Sequence, residues 1–352
     1  MQILHVIKNF DFGGAENHLR ELANSLDSSG NKVYIIGRRG RQQSRLNTNI
    51  TFIPLPLHSL LAPINLLLIS YYIFRYKIQV IHAHQRHSIF LAALAGKIAG
   101  TPVVLTVHGR SQYDLRSWIS RKYADRIIFV SQFVLKASIR FPEIQKKVVY
   151  IPNGVPATSI RASKNSTQIS YISRIDEKHY EVILLMMQKI LPRLVVDYPE
   201  LTFNIIGEGS FLQKVKNEAS QLNSEFNKEI CIVSGYQSNI MEHIRNSVLV
   251  MGVGRVALEA LACGTPVLSV NKNRMGTMVS ANNYPFYKAN NFVAVGNNPP
   301  NADTLLLELQ EFFNRLTYWQ DETAVISKLI EEEFNSKKIT AQIESLYREL
   351  IK

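Results

Sequence analysis

The chain has 352 residues, of which 46% are hydrophobic and 19% charged, so it can bury the cores of two ordinary globular domains. Two cysteines, Cys231 and Cys263, are too few for a disulfide framework or a cysteine-rich metal site, and a cytoplasmic location is expected. The net charge of +12 arises in the first half. Residues 1–156 hold 20 Lys and Arg against 7 Asp and Glu, whereas residues 157–352 hold 20 against 21.

Two groups of basic residues in the first half predict a surface that faces an anionic partner, such as phospholipid or a phosphorylated acceptor. The alternative is a solvated basic face that serves only solubility. Nucleic acid is not expected, because no helix-turn-helix, zinc-finger or aromatic RNP motif accompanies the charge. The groups are Arg38, Arg39, Arg41 and Arg45, and Arg110, Arg116, Arg121, Lys122 and Arg126.

Short apolar strands alternate with helical segments in the first half, which predicts a mostly parallel sheet with helices on both faces. A helix starting near Ala15 would place Leu19 and Leu26 on one face. The apolar run from Leu60 to Phe74 is interrupted by Pro63 and predicts a core or interfacial helix, since it is too short to span a bilayer. The predicted strands are Ile3–Ile7, Val33–Ile36, Thr51–Ile53, Val80–Ala83, Val103–Val107, Ile127–Val130 and Val148–Ile151.

The alternation stops at a polar linker, Ala157 to Asn165, and then restarts. The expected division is therefore a first domain over residues 1–156, a second over 157–330, and a C-terminal helix over 331–352 that returns to the first domain. Residues 271–300 give weak predictions, and helices are expected from Leu305 to Ile351. The second domain is predicted to contain a helix over Val182–Val196 and strands over Gln168–Ile172, Thr202–Ile206, Ile230–Val233, Val248–Val250 and Val267–Val270.

The segment from Met251 to Pro266 predicts a strand, a glycine turn and a helix, a combination that suits a phosphate-bearing ligand. Gly252 and Gly254 end the apolar strand, and N–H groups at the start of the following helix attract anions. Glu259 lies too far into that helix to cap it. Its carboxylate could bind a sugar hydroxyl, or it could pair with Arg255 across the i, i+4 spacing.

Other strand ends carry glycine, histidine or cationic residues, and ligands of doubly wound sheets bind where strands end. Arg174 and Lys178 follow one strand and could hold a diphosphate between them. No Walker, HExxH, GxSxG or Cys-His metal pattern is present, which argues against a phosphate-loop ATPase, a metalloprotease or a serine hydrolase. The remaining candidates are Gly13 and Gly14, His84, His108, and Gly207 with Gly209.

Together these segments resemble the retaining nucleotide-sugar glycosyltransferases of the GT-B fold, the large group with bacterial polysaccharide and phosphoinositol mannosyl enzymes. The resemblance covers nearly the whole chain. It implies two Rossmann-like doubly wound domains facing across a cleft, the first binding the acceptor and the second the nucleotide-sugar. Its segments are Gly13-Gly14-Ala15-Glu16, the two strand-end histidines, Phe129-Val130-Ser131, Ile151 to Val155, Arg174 with Lys178, Ile206 to Gly209, and Met251 to Pro266.

Carried over by position, the resemblance implies roles for the donor-binding residues. Arg174 and Lys178 would hold the donor diphosphate, and Glu259 would bind the ribose hydroxyls. His108 would lie beside the transferred sugar and the acceptor. The further donor-binding candidates are Gly14 and His84 in the first domain, and Gly207, Tyr236, Gln237, Gly252, Gly254, Arg255 and Val256 in the second.

The resemblance also implies that neither a metal nor another cofactor is needed, since cationic side chains stabilise the leaving diphosphate, which deprotonates the acceptor. We therefore predict a metal-independent, retaining glycosyltransferase for a lipid-linked or cell-envelope saccharide, attached peripherally to the inner face of the plasma membrane. Met251 stands where the family has the first of two glutamates, eight residues before Glu259. Two alternatives stay open: a catalytically silent nucleotide-sugar-binding protein of the same fold, and a GT-B sugar epimerase.

Overall fold

A computed structural model describes residues 1–11, 13–109, 114–156, 162–163, 165–293 and 298–351. It divides into two compact α/β units, Met1–Pro156 with Phe334–Lys352, and Ala157–Glu333. Both units have the Rossmann-like architecture predicted from the sequence, which confirms the expected fold class. Most of the predicted linker, and Arg110 of the second basic group, lie outside the described residues.

The first unit is built on a parallel sheet of seven strands in the order β3-β2-β1-β4-β5-β6-β7. Each predicted strand is present within one or two residues, because the apolar runs that predict them are buried on both faces of the sheet. The strands are β1 (Gln2–Asn9), β2 (Lys32–Arg38), β3 (Thr51–Pro54), β4 (Val80–His84), β5 (Val103–Val107), β6 (Arg126–Phe129) and β7 (Val148–Tyr150). Its first five helices are α1 (Gly14–Ser28), α2 (Ala62–Arg75), α3 (Arg86–Ala99), α4 (Leu115–Tyr123) and α5 (Gln132–Ser138).

The second unit has a six-stranded sheet in the order β10-β9-β8-β11-β12-β13, in which only β13 is antiparallel to its neighbour among the described strands. The strands are β8 (Gln168–Ile172), β9 (Thr202–Ile206), β10 (Cys231–Gly235), β11 (Leu249–Gly252), β12 (Val267–Asn271) and β13 (Arg274–Met278). The helices are α6 (Glu177–Leu185), α7 (Leu191–Asp197), α8 (Leu212–Phe226), α9 (Ile240–Arg245), α10 (Arg255–Cys263), α11 (Tyr284–Ala289), α12 (Ala302–Asn314) and α13 (Leu316–Glu333).

The last helix, α14 (Ser336–Ile351), belongs to the first unit. Its buried side chains Ile339, Ile343 and Tyr347 join the core formed by β1 and α1. An isolated bridge between Val155 and Asn335 brings the start of this helix beside the end of the first unit's main segment.

The helix predicted over Val182–Val196 is interrupted. A π turn, Met186–Ile190, separates α6 from α7. Pro192 explains the interruption, because proline has no N–H to donate to the preceding turn and its ring clashes with the carbonyl four residues earlier. Strand β13 lies in the segment for which only weak predictions were possible.

The outer face of α2 is apolar, while its buried face supplies Ile69 and Ile73 to the core. Among the described residues, no helix is both long and apolar enough to cross a bilayer.

Arg121, expected on an anion-facing surface, is instead buried. Its Nε donates to Oε1 of Glu143 at 2.7 Å, and its guanidinium lies 3.9 Å from the centre of the Phe141 ring. This prediction was wrong, because an arginine with a carboxylate and an aromatic face beside it can be taken out of water. Arg41 is paired with Asp11, whereas Arg116 and Lys122 are exposed.

Candidate functional site

The strand order of the second unit reverses between the neighbouring strands β8 and β11. Loops at the carboxyl ends of such a pair form the usual ligand crevice of a doubly wound sheet. Arg174 follows β8, Lys178 lies in the first turn of α6, and Gly254 follows β11. The predicted diphosphate-binding residues therefore lie on adjacent loops, and the side chains of Arg174 and Lys178 are exposed.

Backbone hydrogen bonds hold the loop around Arg174 on both sides. The N–H of Ser173 donates to the carbonyl oxygen of Ile206 at 3.1 Å, and that of Ile175 donates to Glu208 at 3.0 Å. Asp176 then caps α6 by accepting from the N–H groups of Lys178 and His179. These bonds fix the backbone from which the Arg174 side chain extends, so its position is preorganised before a ligand arrives.

The turn before α10 needs glycine. Gly254 has φ of +62° and ψ of −127°, a conformation that residues with a Cβ rarely adopt. Its N–H donates to the carbonyl oxygen of Phe292 at 2.8 Å, and both Asn291 and Phe292 have positive φ. Left-handed backbone is unusual for a bulky residue and is common at ligand sites. This support could not be found by sequence reasoning, because the contact with Phe292 joins loops that are far apart in the chain.

Glu259 is 8% exposed and forms the pair with Arg255 that was the alternative to sugar binding. The Nε of Arg255 donates to Oε1 of Glu259 at 2.7 Å. The pair does not exclude a ligand role, because a carboxylate offers about four lone-pair sites and Arg255 engages Oε1 in this bond. It does orient the carboxylate, which lies within the second turn of α10 behind the glycine turn.

Met251 is a core residue of β11. It is fully buried, and its register partners are Tyr171 on β8 and Leu268 on β12. The strand therefore gives this position an apolar environment, in which an unpaired carboxylate would be strongly disfavoured.

Gly207, Tyr236 and Gln237 lie at the carboxyl ends of β9 and β10. The N–H of Gly207 donates to the carbonyl oxygen of Gly235 at 2.8 Å, which joins the two loops. A Cβ at Gly207 would lie 1.8 Å from the carbonyl oxygen of Ser173. Gly207 therefore has a structural reason to be glycine, while Tyr236 and Gln237 are partly exposed and Gln237 bonds the Ser234 carbonyl.

The first unit has its own reversal point between β1 and β4, where Gly14 opens α1. Gln85 joins the two loops there. Its Oε1 accepts from the N–H groups of Lys8 and Asn9, and its Nε2 donates to Oε1 of Glu16 at 2.7 Å. Gln85 has φ of +67°, an unfavourable conformation for glutamine. Sequence reasoning missed this residue, since a polar residue after a strand has no distinctive pattern.

Histidines fill the space between the sheet and the helices α1 and α14. His5 and His84 face each other with Nδ1 and Nε2 3.2 Å apart, and His82 hydrogen-bonds Tyr347 and Thr106. His84 is fully buried, contrary to the expectation that strand-end histidines face a cleft. It is the final residue of β4, and its side chain points to the same sheet face as that of His82, two residues earlier.

These histidines predict acid sensitivity. Burial lowers the pKa of His5 to about 3 and of His108 to about 4, and burial with neighbouring imidazoles holds the pKa values of His82 and His84 well below the usual range. An unfolded histidine titrates near pH 6.5. As the pH falls below that value the unfolded chain binds more protons than the folded chain, so the free energy of unfolding falls.

We expect a loss of up to about 1.4 kcal/mol per pH unit for each of these histidines below pH 6.5. Urea unfolding at pH 7.5, 6.5 and 5.5 measures it, in a range where ordinary carboxylates and amines do not titrate. A free energy of unfolding that is the same at pH 7.5 and 5.5 would contradict the prediction.

His108 lies just beyond β5 at the mouth of a cavity of about 310 Å³ in the first unit. Its lining is mainly apolar, with polar groups from Gln85, Arg86 and Ser117. The Nε2 of His108 is buried and has no hydrogen-bond partner among the described residues. With its lowered pKa, the imidazole is neutral at pH 7 and can exchange a hydrogen bond with a hydroxyl.

Within the described part of the chain, His5, His82 and His84 are the group that could hold a metal ion, with ligand atoms within 4.8 Å of one another. Their converging nitrogens already hydrogen-bond one another, Tyr347 and Thr106. A metal ion would have to displace these bonds, so the cluster is described as a hydrogen-bonded part of the core.

Solved structures share this fold over nearly the whole chain. Anabaena Alr3699/HepE, crystallised with UDP and glucose, superposes with a TM-score of 0.75 at 18% identity, covering 99% of this chain and 100% of that one. The lipopolysaccharide outer core galactosyltransferase WaaB superposes with a TM-score of 0.64 at 15% identity, covering 99% and 100%.

Curated relatives match over a smaller share of their length. One of them, from Homo sapiens, belongs to the phosphatidylinositol N-acetylglucosaminyltransferase complex as one of its subunits. It is 27% identical over 294 residues, covering 74% of this chain and 59% of the relative. The phosphatidyl-myo-inositol mannosyltransferase of Mycolicibacterium smegmatis is 23% identical over 217 residues, covering 56% of each. The match thus spans just over half the length of both relatives.

Two family matches adjoin in the chain. Residues 12–159 match Glycosyltransferase Family 4, and residues 158–311 match Glycosyl transferases group 1. Together with the shared fold, these matches show that the chain belongs to the glycosyltransferases of the GT-B fold.

Proposed function

We propose that this protein transfers a sugar from a nucleotide-sugar donor to a lipid-linked or cell-envelope saccharide, with retention of configuration and without a metal ion. The observation that carries the proposal is the arrangement at the β8–β11 reversal point. Two exposed cations, Arg174 and Lys178, and the helix start at Gly254 follow adjacent strands. This combination suits a diphosphate, because cationic side chains and helix N–H groups both favour negative charge.

In the proposed donor complex, Arg174 and Lys178 contact the diphosphate, and the N–H groups at the start of α10 add to its binding. Glu259, oriented by Arg255, accepts hydrogen bonds from the ribose hydroxyls. Charge that develops on the leaving diphosphate is stabilised by these fixed groups, and the leaving phosphate takes the acceptor proton on the same face of the sugar. Transfer is therefore expected to persist in the presence of EDTA.

The acceptor is proposed to bind the first unit, where His108 lines the cavity beyond β5. A neutral imidazole there can position a sugar hydroxyl without adding charge. Both curated relatives described above have names that specify a phosphoinositide acceptor, which makes an inositol-containing or other anionic lipid a suitable first candidate. The basic first half of the chain supports a phosphate-bearing acceptor.

A thermal-shift screen with UDP-, GDP-, ADP- and dTDP-sugars tests the donor class, since a ligand that binds only the folded state raises the unfolding temperature. A rise with one nucleotide series identifies the donor for transfer assays. The absence of a shift with all four at millimolar concentration would contradict the proposed site.

Glu259→Gln is expected to weaken donor binding about 10–100-fold, because a charge-assisted hydrogen bond contributes about 1.5–3 kcal/mol. Glutamine retains the shape of the side chain and an oxygen that can accept from Arg255, so the unfolding temperature should change little. Titration calorimetry with the donor measures the effect. Unchanged donor affinity in this variant would leave Glu259 with only its structural pairing.

The buried Met251 supports a second candidate function, a nucleotide-sugar-binding protein that does not catalyse transfer. The family acid that this position would carry is replaced by a side chain packed in the core. Donor binding without transfer or hydrolysis over long incubation would favour this function.

A further inference from the structure

Helix α2 and the turn before it expose a row of large apolar side chains. The residues are separated by three or four positions and so share one face of the helix. The opposite face is buried in the core through Ile69 and Ile73. The exposed row consists of Leu60, Leu61, Ile64, Leu67, Tyr71 and Phe74, whose exposed fractions range from 39% to 85%.

This arrangement is the reverse of an ordinary surface helix, whose outer face is polar. Single exposed apolar residues are common, but a contiguous row marks a surface that meets another apolar phase. Ile98 on α3, the helix that packs beside α2, is 62% exposed and extends the apolar area. We call the row together with Ile98 the α2 face.

The sequence around the α2 face contains no acidic residue. Residues 28–113 include neither Asp nor Glu, and their ten basic residues are Lys32, Arg38, Arg39, Arg41, Arg45, Arg75, Lys77, Arg86, Lys97 and Arg110. Arg75 ends α2, Lys77 follows it, and Lys97 precedes Ile98; all three are exposed. The apolar row is thus bordered by positive charge alone.

We propose that α2 lies in the plane of an anionic lipid bilayer, with the α2 face inserted at the boundary between headgroups and acyl chains. Arg75, Lys77 and Lys97 then contact lipid phosphates. The helix has 14 residues and is about 21 Å long, so it lies in the membrane surface rather than across it. Tyr71 suits this depth, since tyrosine is enriched at the membrane–water interface.

A second copy of the chain is the other occupant that an apolar face could take. The charge distribution favours lipid, because a symmetric contact through this face would bring two acid-free basic surfaces together. The inference deepens the proposed function, on which it rests for the membrane-bound acceptor.

The test uses flotation of the full chain with phosphatidylcholine vesicles and with vesicles that also contain phosphatidylglycerol. The variant is Ile64→Glu with Leu67→Glu. The matched control is Val196→Glu with Val325→Glu, two exposed apolar positions in the second unit. All four substitutions are at exposed sites, so the unfolding temperatures should stay close to that of the natural sequence.

The natural sequence should float with the anionic vesicles and retain part of its binding in 0.5 M NaCl, since salt screens charge but does not weaken apolar insertion. The α2 variant should lose more than about tenfold in vesicle affinity. The control variant should bind as the natural sequence does.

Three results would overturn the inference: no flotation of the natural sequence, equal flotation of the α2 variant, or complete release by salt. Sedimentation showing a dimer that the α2 variant dissociates would assign the face to a second copy instead. Flotation requires no sugar transfer, and donor affinity measured on the same preparations reports separately on the proposed function.

Discussion

Arg174→Ala is expected to reduce the rate of sugar transfer about 10²–10³-fold, the effect of removing one preorganised group that stabilises developing negative charge. The loop that carries Arg174 is held by backbone bonds of Ser173 and Ile175, which the substitution does not touch. Its side chain is exposed, so the free energy of unfolding should change by less than about 0.5 kcal/mol.

Arg193→Ala is the matched control, because Arg193 is an exposed arginine on α7 of the same unit. Turnover with saturating donor separates a loss in kcat from a loss in donor affinity. If Arg174→Ala turned over at the rate of the control, the proposed diphosphate contact would be wrong.

Gly207→Ala is expected to destabilise the second unit by roughly 3 kcal/mol, because the added Cβ overlaps the carbonyl oxygen of Ser173 and φ of +146° suits only glycine. For a unit of this size the unfolding temperature should fall by about 6–12 °C. Scanning calorimetry measures the change.

Gly14→Ala is the contrasting variant. No atom lies within 4 Å of a Cβ added at Gly14, and the residue begins α1 with no positive φ, so stability should be retained. Any loss of donor affinity would then report a close approach of the ligand to this backbone. Equal unfolding temperatures for the two variants would contradict the packing role of Gly207, and unchanged donor affinity in Gly14→Ala would remove Gly14 from the donor site.

The alternation of apolar strands and helices was sufficient to predict both sheets, because parallel strands are buried on both faces and have continuous apolar sequences. Residues such as Val250 in β11 therefore identify themselves. The edge strand β13 was missed because it is antiparallel and half-buried, with exposed Arg274 and Thr277 in its pattern.

The candidate site was predicted in part. Loop glycines and cations follow predicted strands, so Arg174 and Gly254 could be found from the sequence. The supporting contacts could not, since Gln85 and Phe292 are distant in sequence from the loops that they hold. Burial of polar residues was also hidden. His84 and Arg121 are polar in sequence, and only their three-dimensional partners show that they belong to the interior.

The loops after β8, β9 and β10 are joined through main-chain atoms alone, by the bonds of Ser173, Ile175 and Gly207 described above. A side-chain substitution at Arg174 or Tyr236 therefore leaves those bonds in place. In evolutionary terms, the platform and the specificity of the site are separable, and a change of preferred sugar-nucleotide could arise through few substitutions. A mutant library for altering donor choice should vary Arg174, Tyr236 and Gln237 while keeping the glycines fixed.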